Sequence, residues 1–66
     1  MVSTRILFLL REAGDFTSAC TLSLVIGVET YQITNICYRL VSSGNIEKIE
    51  KNNQTHFRIK ENSHAS

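Results

Sequence analysis

Five consecutive apolar residues at positions 6–10 open the hydrophobic pattern of the chain, and the charged pair Arg11-Glu12 follows them. Because the run consists of good helix formers, we predict a first helix over residues 3–13, too hydrophobic to lie alone on a surface. Ser3 or Thr4 is expected to cap this helix, and Gly14 to end it. A short buried strand is the alternative for an apolar run of this length.

Two further segments carry apolar residues at spacings of three and four, which is the period of a helix. The first predicts a second helix over Ala19–Ile26, preceded by cap residues at positions 15–18 and ended by Gly27. The second predicts a third helix over residues 31–42, ended by Gly44. The apolar face of this third helix consists of Ile33, Ile36, Cys37, Leu40 and Val41.

After Gly44 the pattern changes to alternation, which is typical of strands. Residues 47–51 and 55–60 alternate on either side of Asn52-Asn53-Gln54 and predict a β-hairpin. We expect Ile49, Phe57 and Ile59 to face inward. Ile46 falls out of step with Ile49, so it is interpreted as a plug between the third helix and the first strand of the hairpin.

The order of these elements predicts an α+β fold, a winged helix-turn-helix with three helices followed by a two-stranded β-hairpin wing. We assign residues 1–60 to this one domain and residues 61–66 to a flexible C-terminal tail with nothing to anchor it. A chain of 66 residues forms one domain at most, and 42% hydrophobic residues without proline favour a compact fold. The apolar run at positions 6–10 is too short for a signal peptide or a membrane span, so we expect a cytoplasmic protein without membrane contact.

The composition argues against a metal site, a cofactor or catalysis. Cys20 and Cys37 lie among apolar residues and are expected to be reduced thiols that pack as small hydrophobic groups. A disulfide is the less favoured alternative, and zinc is disfavoured because His56 and His64 do not stand at metal-ligand spacings from either cysteine. Neither a nucleophile–base pair nor a glycine-rich phosphate loop is present, so we expect no enzyme.

The polar side of the third helix is the candidate DNA-reading surface. Gln and Asn can form paired hydrogen bonds with an adenine edge, and Arg with guanine, in the major groove. Because residues early in a recognition helix normally reach the bases, Gln32 and Asn35 are the first candidates. An ordinary solvated polar face is the alternative. The full set is Thr30, Tyr31, Gln32, Thr34, Asn35, Tyr38 and Arg39.

The predicted hairpin adds basic residues that could position the domain on a phosphate backbone. Lys48, Lys51 and Arg58 are the candidates, with Lys60 and His56 nearby. Glutamates at positions 47 and 50 partly cancel this field, so an ion-paired edge without DNA contact stays open. The formal net charge of the whole chain is only +1, which weighs against strong binding to nucleic acid.

The segments Thr17-Ser18-Ala19, Ile26-Gly27-Val28, Tyr31-Gln32-Ile33 and residues 40–46 resemble winged-helix regulators, and the resemblance covers about residues 4–60. The Tyr31-Gln32 pair and the short length are similar to the small bacterial fimbrial regulators of the FaeA and PapI type. The resemblance implies an accessory factor that acts on DNA with a larger regulatory protein. The chain departs from that family in having Arg39 as the single basic residue of its third helix.

These observations predict a small sequence-specific DNA-binding transcriptional regulator or accessory factor, with the third helix in the major groove and the wing on the phosphate backbone. The alternative is a winged-helix protein-interaction module that docks on another regulator or a host protein, with Phe16, Tyr31 and Tyr38 as aromatic anchors. The domain is expected to be a monomer or a weak homodimer, and a dimer would pair through the apolar first helix.

Overall fold

The computed structural model describes residues 1–60, and the predicted tail at residues 61–66 lies outside them. Within this range three helices and three strands follow one another in the order α1, β1, α2, α3, β2, β3. Their bounds are α1 Val2–Ala13, β1 Thr17–Ser18, α2 Ala19–Ile26, α3 Thr30–Ser42, β2 Ile46–Lys51 and β3 Gln54–Ile59. The predicted α+β class and the three helices are confirmed.

Helix α1 begins one residue earlier than predicted, at Val2, and no side chain caps its first turn. The predicted cap by Ser3 or Thr4 is therefore wrong, because both residues lie inside the helix. The end at Gly14 is confirmed, since this residue adopts φ +69° and its N–H donates to the carbonyl oxygen of Leu10 at 3.1 Å. A left-handed residue at this position favours glycine, which has no Cβ to clash.

A short turn joins α2 and α3 and orients the two helices. At the start of α2 the Ser18 hydroxyl oxygen accepts the Thr21 N–H at 3.1 Å, which confirms a cap within the predicted segment. At its end Gly27 adopts φ +83°, as predicted, and the Ser23 hydroxyl donates to the Val28 carbonyl at 2.6 Å. Helix α3 then begins at Thr30, one residue before the predicted start.

The sheet has three antiparallel strands in the order β1-β3-β2, so the predicted two-stranded hairpin is wrong in its strand count. The additional strand is β1, in which Thr17 is opposite Phe57 and Ser18 is opposite His56. Two residues are too few to show an alternating pattern. Their pairing partners are also far away in the chain. From the sequence alone, the segment is therefore recognised only as a helix cap.

The hairpin register differs from the prediction and changes which residues face the core. Asn52 and Asn53 both have positive φ, at +53° and +63°, and form the two-residue turn typical of tight hairpins. Ile46 is opposite Ile59 and Lys48 is opposite Phe57 on the inner face of the sheet. The prediction that Ile49 faces inward is therefore wrong, and so is the placement of Ile46 outside the strand.

Exposure confirms this register, since Ile46 is 1% exposed and Ile49 is 40% exposed. Both residues belong to β2, and positions three apart on a strand lie on opposite faces. One core receives side chains from every helix and from β2 and β3. Its buried members are Ile6, Leu10, Ala19, Leu22, Ile33, Cys37, Ile46 and Phe57.

The two cysteines occupy different environments, and both are free thiols. Cys37 is fully buried, and desolvation by burial raises the pKa of its thiol from 9.0 to about 12. Cys20 is exposed on α2, so the expectation that it packs as a small hydrophobic residue is wrong. No helix among residues 1–60 is long and apolar enough to cross a membrane.

Candidate nucleic-acid interface

Helix α3 turns one side into the core and leaves the other side in solvent. Ile33 and Cys37 are fully buried one turn apart and define the inner side. On the opposite side Tyr31, Asn35 and Tyr38 follow one another at spacings of four and three, so they form one exposed stripe. We call these three residues the α3 stripe.

Gln32 and Arg39 flank the α3 stripe on the side of α1. Both are exposed, and seven residues separate them, so they lie two turns apart in one row. Arg39 also lies beside the first residues of α1, where it lines a shallow depression with Val2 and Ile36. The structure therefore brings Gln32, Asn35 and Arg39 together around one depression, which the apolar residues Val2, Val28 and Ile36 also line.

Thr30 and Thr34 lie on the other flank, where α3 approaches the hairpin. They line a cleft of about 210 Å³ together with Ser18, Cys20 and residues 54–55 of the hairpin. The Thr34 hydroxyl donates to the Thr30 carbonyl oxygen at 3.0 Å, within the helix. Of the predicted α3 residues, these two are at the edge of the exposed surface, and the Thr34 donor is already used.

Tyr38 connects the α3 stripe to the hairpin. Its ring packs edge-on against Phe57 of β3, with the centroids 6.2 Å apart at an interplanar angle of 67°. The Lys48 ammonium lies 5.9 Å from the centroid of the Tyr38 ring, within the range of a cation–π interaction. Lys48 is therefore the predicted wing cation that the structure brings to α3.

Arg58 and Lys51 belong to the other face of the hairpin. Arg58 is opposite Glu47 and donates from Nε to the Glu47 Oε2 atom at 3.0 Å. Its guanidinium also lies over the Phe16 ring, 4.3 Å from the centroid. The ion-paired alternative thus describes Arg58, whereas Lys51 is exposed at the end of β2.

The stacking of Arg58 on Phe16 is a structural contact that sequence reasoning missed. The two residues are 42 positions apart, and β1 brings them together by pairing with β3. A contact of this kind stabilises the junction between the helices and the sheet by packing the arginine stem against an aromatic ring. No local pattern in the sequence signals it.

The electrostatic field at the α3 stripe is weak. Arg39 and Lys48 supply positive charge beside it, while Glu50 lies on the same face of β2 as Lys48. The Glu50 side chain is exposed, and its Oε2 atom accepts a hydrogen bond from the Thr55 hydroxyl at 2.9 Å. The surface is therefore suited to hydrogen bonding and aromatic contact more than to charge neutralisation.

Within residues 1–60 no group of three or more His, Cys, Asp or Glu side chains is arranged to hold a metal ion. Comparison of the chain with protein-family models, curated proteins and solved structures finds no match. The geometry of α3 and the hairpin therefore carries the indication of function.

Proposed function

We propose that this protein is a small winged-helix DNA-binding regulator or accessory factor. Its α3 stripe and the flanking polar residues would enter the major groove of double-stranded DNA. The observation that carries the proposal is the position of Lys48 beside Tyr38, which places a hairpin cation next to an exposed polar helix face. An α-helix fits into the major groove of B-DNA, which is about 12 Å wide.

The topology supports the winged-helix arrangement. Helices α2 and α3 are joined by a turn at Gly27, as in a helix-turn-helix, and the hairpin follows α3 directly. The short β1 before α2 pairs with β3 and ties the hairpin to the helices. This pairing holds the hairpin beside α3, where it would contact the phosphate backbone as a wing.

The position of each exposed residue on α3 suggests which part of the DNA it would contact. Gln32 and Asn35 lie in the first half of the helix and are exposed, so they are the residues we assign to adenine edges. Arg39 lies one turn further along and would contact guanine or a phosphate. Tyr31 and Lys48 would contact the backbone on either side of the groove.

The small number of cations near α3 determines how strongly DNA binding should depend on salt concentration. If Arg39 and Lys48, the two cations beside the α3 stripe, each neutralise one phosphate, the logarithm of the binding constant should fall against the logarithm of salt concentration with a slope of about −2. Autonomous binding should therefore be weak. This weakness supports a role as an accessory factor beside a larger DNA-bound protein.

The test is fluorescence anisotropy of labelled duplex DNA titrated with the protein at several salt concentrations. Replacing Arg39 with Ala should reduce the salt slope by about one, because its charge would no longer neutralise a phosphate. Arg11→Ala is the matched control, since Arg11 is an exposed arginine on α1. Equal slopes for the two variants would contradict the assignment of α3.

Sequence preference is tested separately, by selecting a preferred duplex from a random pool. Gln32→Ala and Asn35→Ala should each lower discrimination for that duplex by about 1–3 kcal/mol while leaving the circular dichroism spectrum unchanged. Both side chains are exposed, so neither change should disturb the core. Unaltered discrimination in both variants would exclude this face as the reading surface.

A protein-docking function is the second candidate, and the exposed tyrosines favour it. Tyr31 and Tyr38 are 63% and 43% exposed, with few cations around them. Tyrosine is enriched at protein interfaces, where lysine is depleted. The two functions differ in salt dependence, because binding to a protein through aromatic contacts should change little with salt.

A further inference from the structure

The outer side of α1 carries a self-complementary pattern of charge around an exposed aromatic residue. Ile6 and Leu10 occupy the buried side of the helix, and Phe8 is 58% exposed on the opposite side. Arg5 and Glu12 lie three residues before and four residues after Phe8, so all three share one outer stripe.

Helix α2 extends this surface with further exposed apolar side chains. Leu24 and Val25 are 79% and 63% exposed. An open groove of about 430 Å³ runs between the two helices, lined by Phe8, Leu9, Val25 and Ile26 with Thr4 and Arg5 at its edge. Exposed apolar surface that is continuous and rimmed by polar groups is typical of an interaction site.

The two charges on the outer stripe, Arg5 and Glu12, lie on either side of Phe8. Among residues 1–60 the only ion pair joins Arg58 and Glu47, so neither Arg5 nor Glu12 has a partner. Seven residues separate them, which is about 10.5 Å along a helix axis and too far for direct contact. The midpoint between them falls at Phe8 and Leu9.

We propose that a second copy of this chain docks on this surface, with α1 antiparallel to α1 of the partner subunit about a twofold axis near Phe8. This arrangement places Arg5 opposite Glu12 of the partner subunit, and the symmetry repeats the ion pair on the other side. Phe8 of each copy then enters the other's groove beside Val25. A parallel arrangement would place like charges together.

The size of the domain gives the dimer a physical advantage. A single core of about this size rarely supplies much stability by itself, and association is one of the usual supplements. The docked copy would cover Phe8 and Val25, two apolar residues that are more than half exposed in the monomer. This inference does not depend on DNA binding.

The test is sedimentation equilibrium of the full chain from about 1 µM to about 1 mM, a range that covers weak dimers. The unmodified protein should dimerise within this range. Arg5→Glu and Glu12→Arg should each weaken the dimer by about tenfold or more, because two symmetric ion pairs become repulsive. The double variant R5E/E12R should restore the dimer to within about threefold, because the exchanged charges again face each other.

Arg11→Glu is the matched control, since it makes the same charge change on α1 at a residue that lies beside β3. It should leave dimerisation unchanged. Folding of every variant is checked by circular dichroism; the exchanged charges suit the α1 dipole, with Glu near its start and Arg near its end. If the unmodified protein is a monomer across the whole range, the proposal is overturned and the surface is left to a different protein. Failure of the double variant R5E/E12R to restore dimerisation would also overturn it.

Discussion

Two isoleucines on the same strand offer a sharp test of the hairpin register. Ile46 is 1% exposed and Ile49 is 40% exposed, although both lie on β2. Replacing Ile46 with Ala removes buried methyl groups and leaves a cavity, which typically costs about 2–5 kcal/mol. Replacing Ile49 with Ala removes side-chain atoms already partly in water and should cost about 1 kcal/mol or less.

These costs are large relative to the stability of the domain. A core of this size supplies about 3–5 kcal/mol, so a loss of about 3 kcal/mol from about 4 would leave about 15% of the Ile46→Ala protein unfolded at 25 °C. The melting temperature should fall by about 12–24 °C for Ile46→Ala and by a few degrees for Ile49→Ala. Both variants lose the same strand propensity, so their difference measures burial.

The assay is thermal and urea unfolding followed by circular dichroism at one protein concentration. Concentration is held constant because association would raise the apparent stability. Equal losses for the two variants, or a larger loss for Ile49→Ala, would refute the register, since a one-residue slip exchanges the two faces of a strand. The same slip would move Lys48 away from Tyr38 and remove the observation on which the proposed function depends.

Two further predictions concern the thiols and one turn. Cys20 should react with an exposed-thiol reagent at pH 8 while Cys37 does not, and a fast reaction at both would contradict the buried position of Cys37. Burial raises the pKa of the Cys37 thiol from 9.0 to about 12 in the folded state, so above pH 9 the unfolded chain loses this proton while the folded chain keeps it. The free energy of unfolding should therefore fall above pH 9. The variant Cys37→Ala should lack this part of the fall. Gly27→Ala should cost about 1–2 kcal/mol in urea unfolding because of its left-handed φ, and no measurable loss would show that the turn relaxes.

The candidate surface was partly predictable. The spacing of apolar residues alone predicted which side of α3 faces the core. Ile33 and Cys37 belong to the predicted apolar face, and both are buried. The exposure of Tyr31, Gln32 and Asn35 follows from that orientation. The position of the basic residues did not follow, since it depends on how the hairpin packs on α3.

Local information determined the three helices and the C-terminal ends of α1 and α2. The spacing of apolar residues and the glycines at positions 14 and 27 are properties of neighbouring residues, and a helix forms its hydrogen bonds within one segment. The sequence by itself also determined that a hairpin follows α3. It did not determine the first-turn cap of α1, because Ser3 and Thr4 could equally lie inside the helix.

Only the tertiary structure decided the features that join distant parts of the chain. These are the pairing of β1 with β3, the face that Ile49 takes, the contact of Lys48 with Tyr38 and the stacking of Arg58 on Phe16. The physical reason is the same in each case. Strand pairing places residues opposite one another through hydrogen bonds between separate segments, and a shift of one residue reverses every side chain without changing the local pattern.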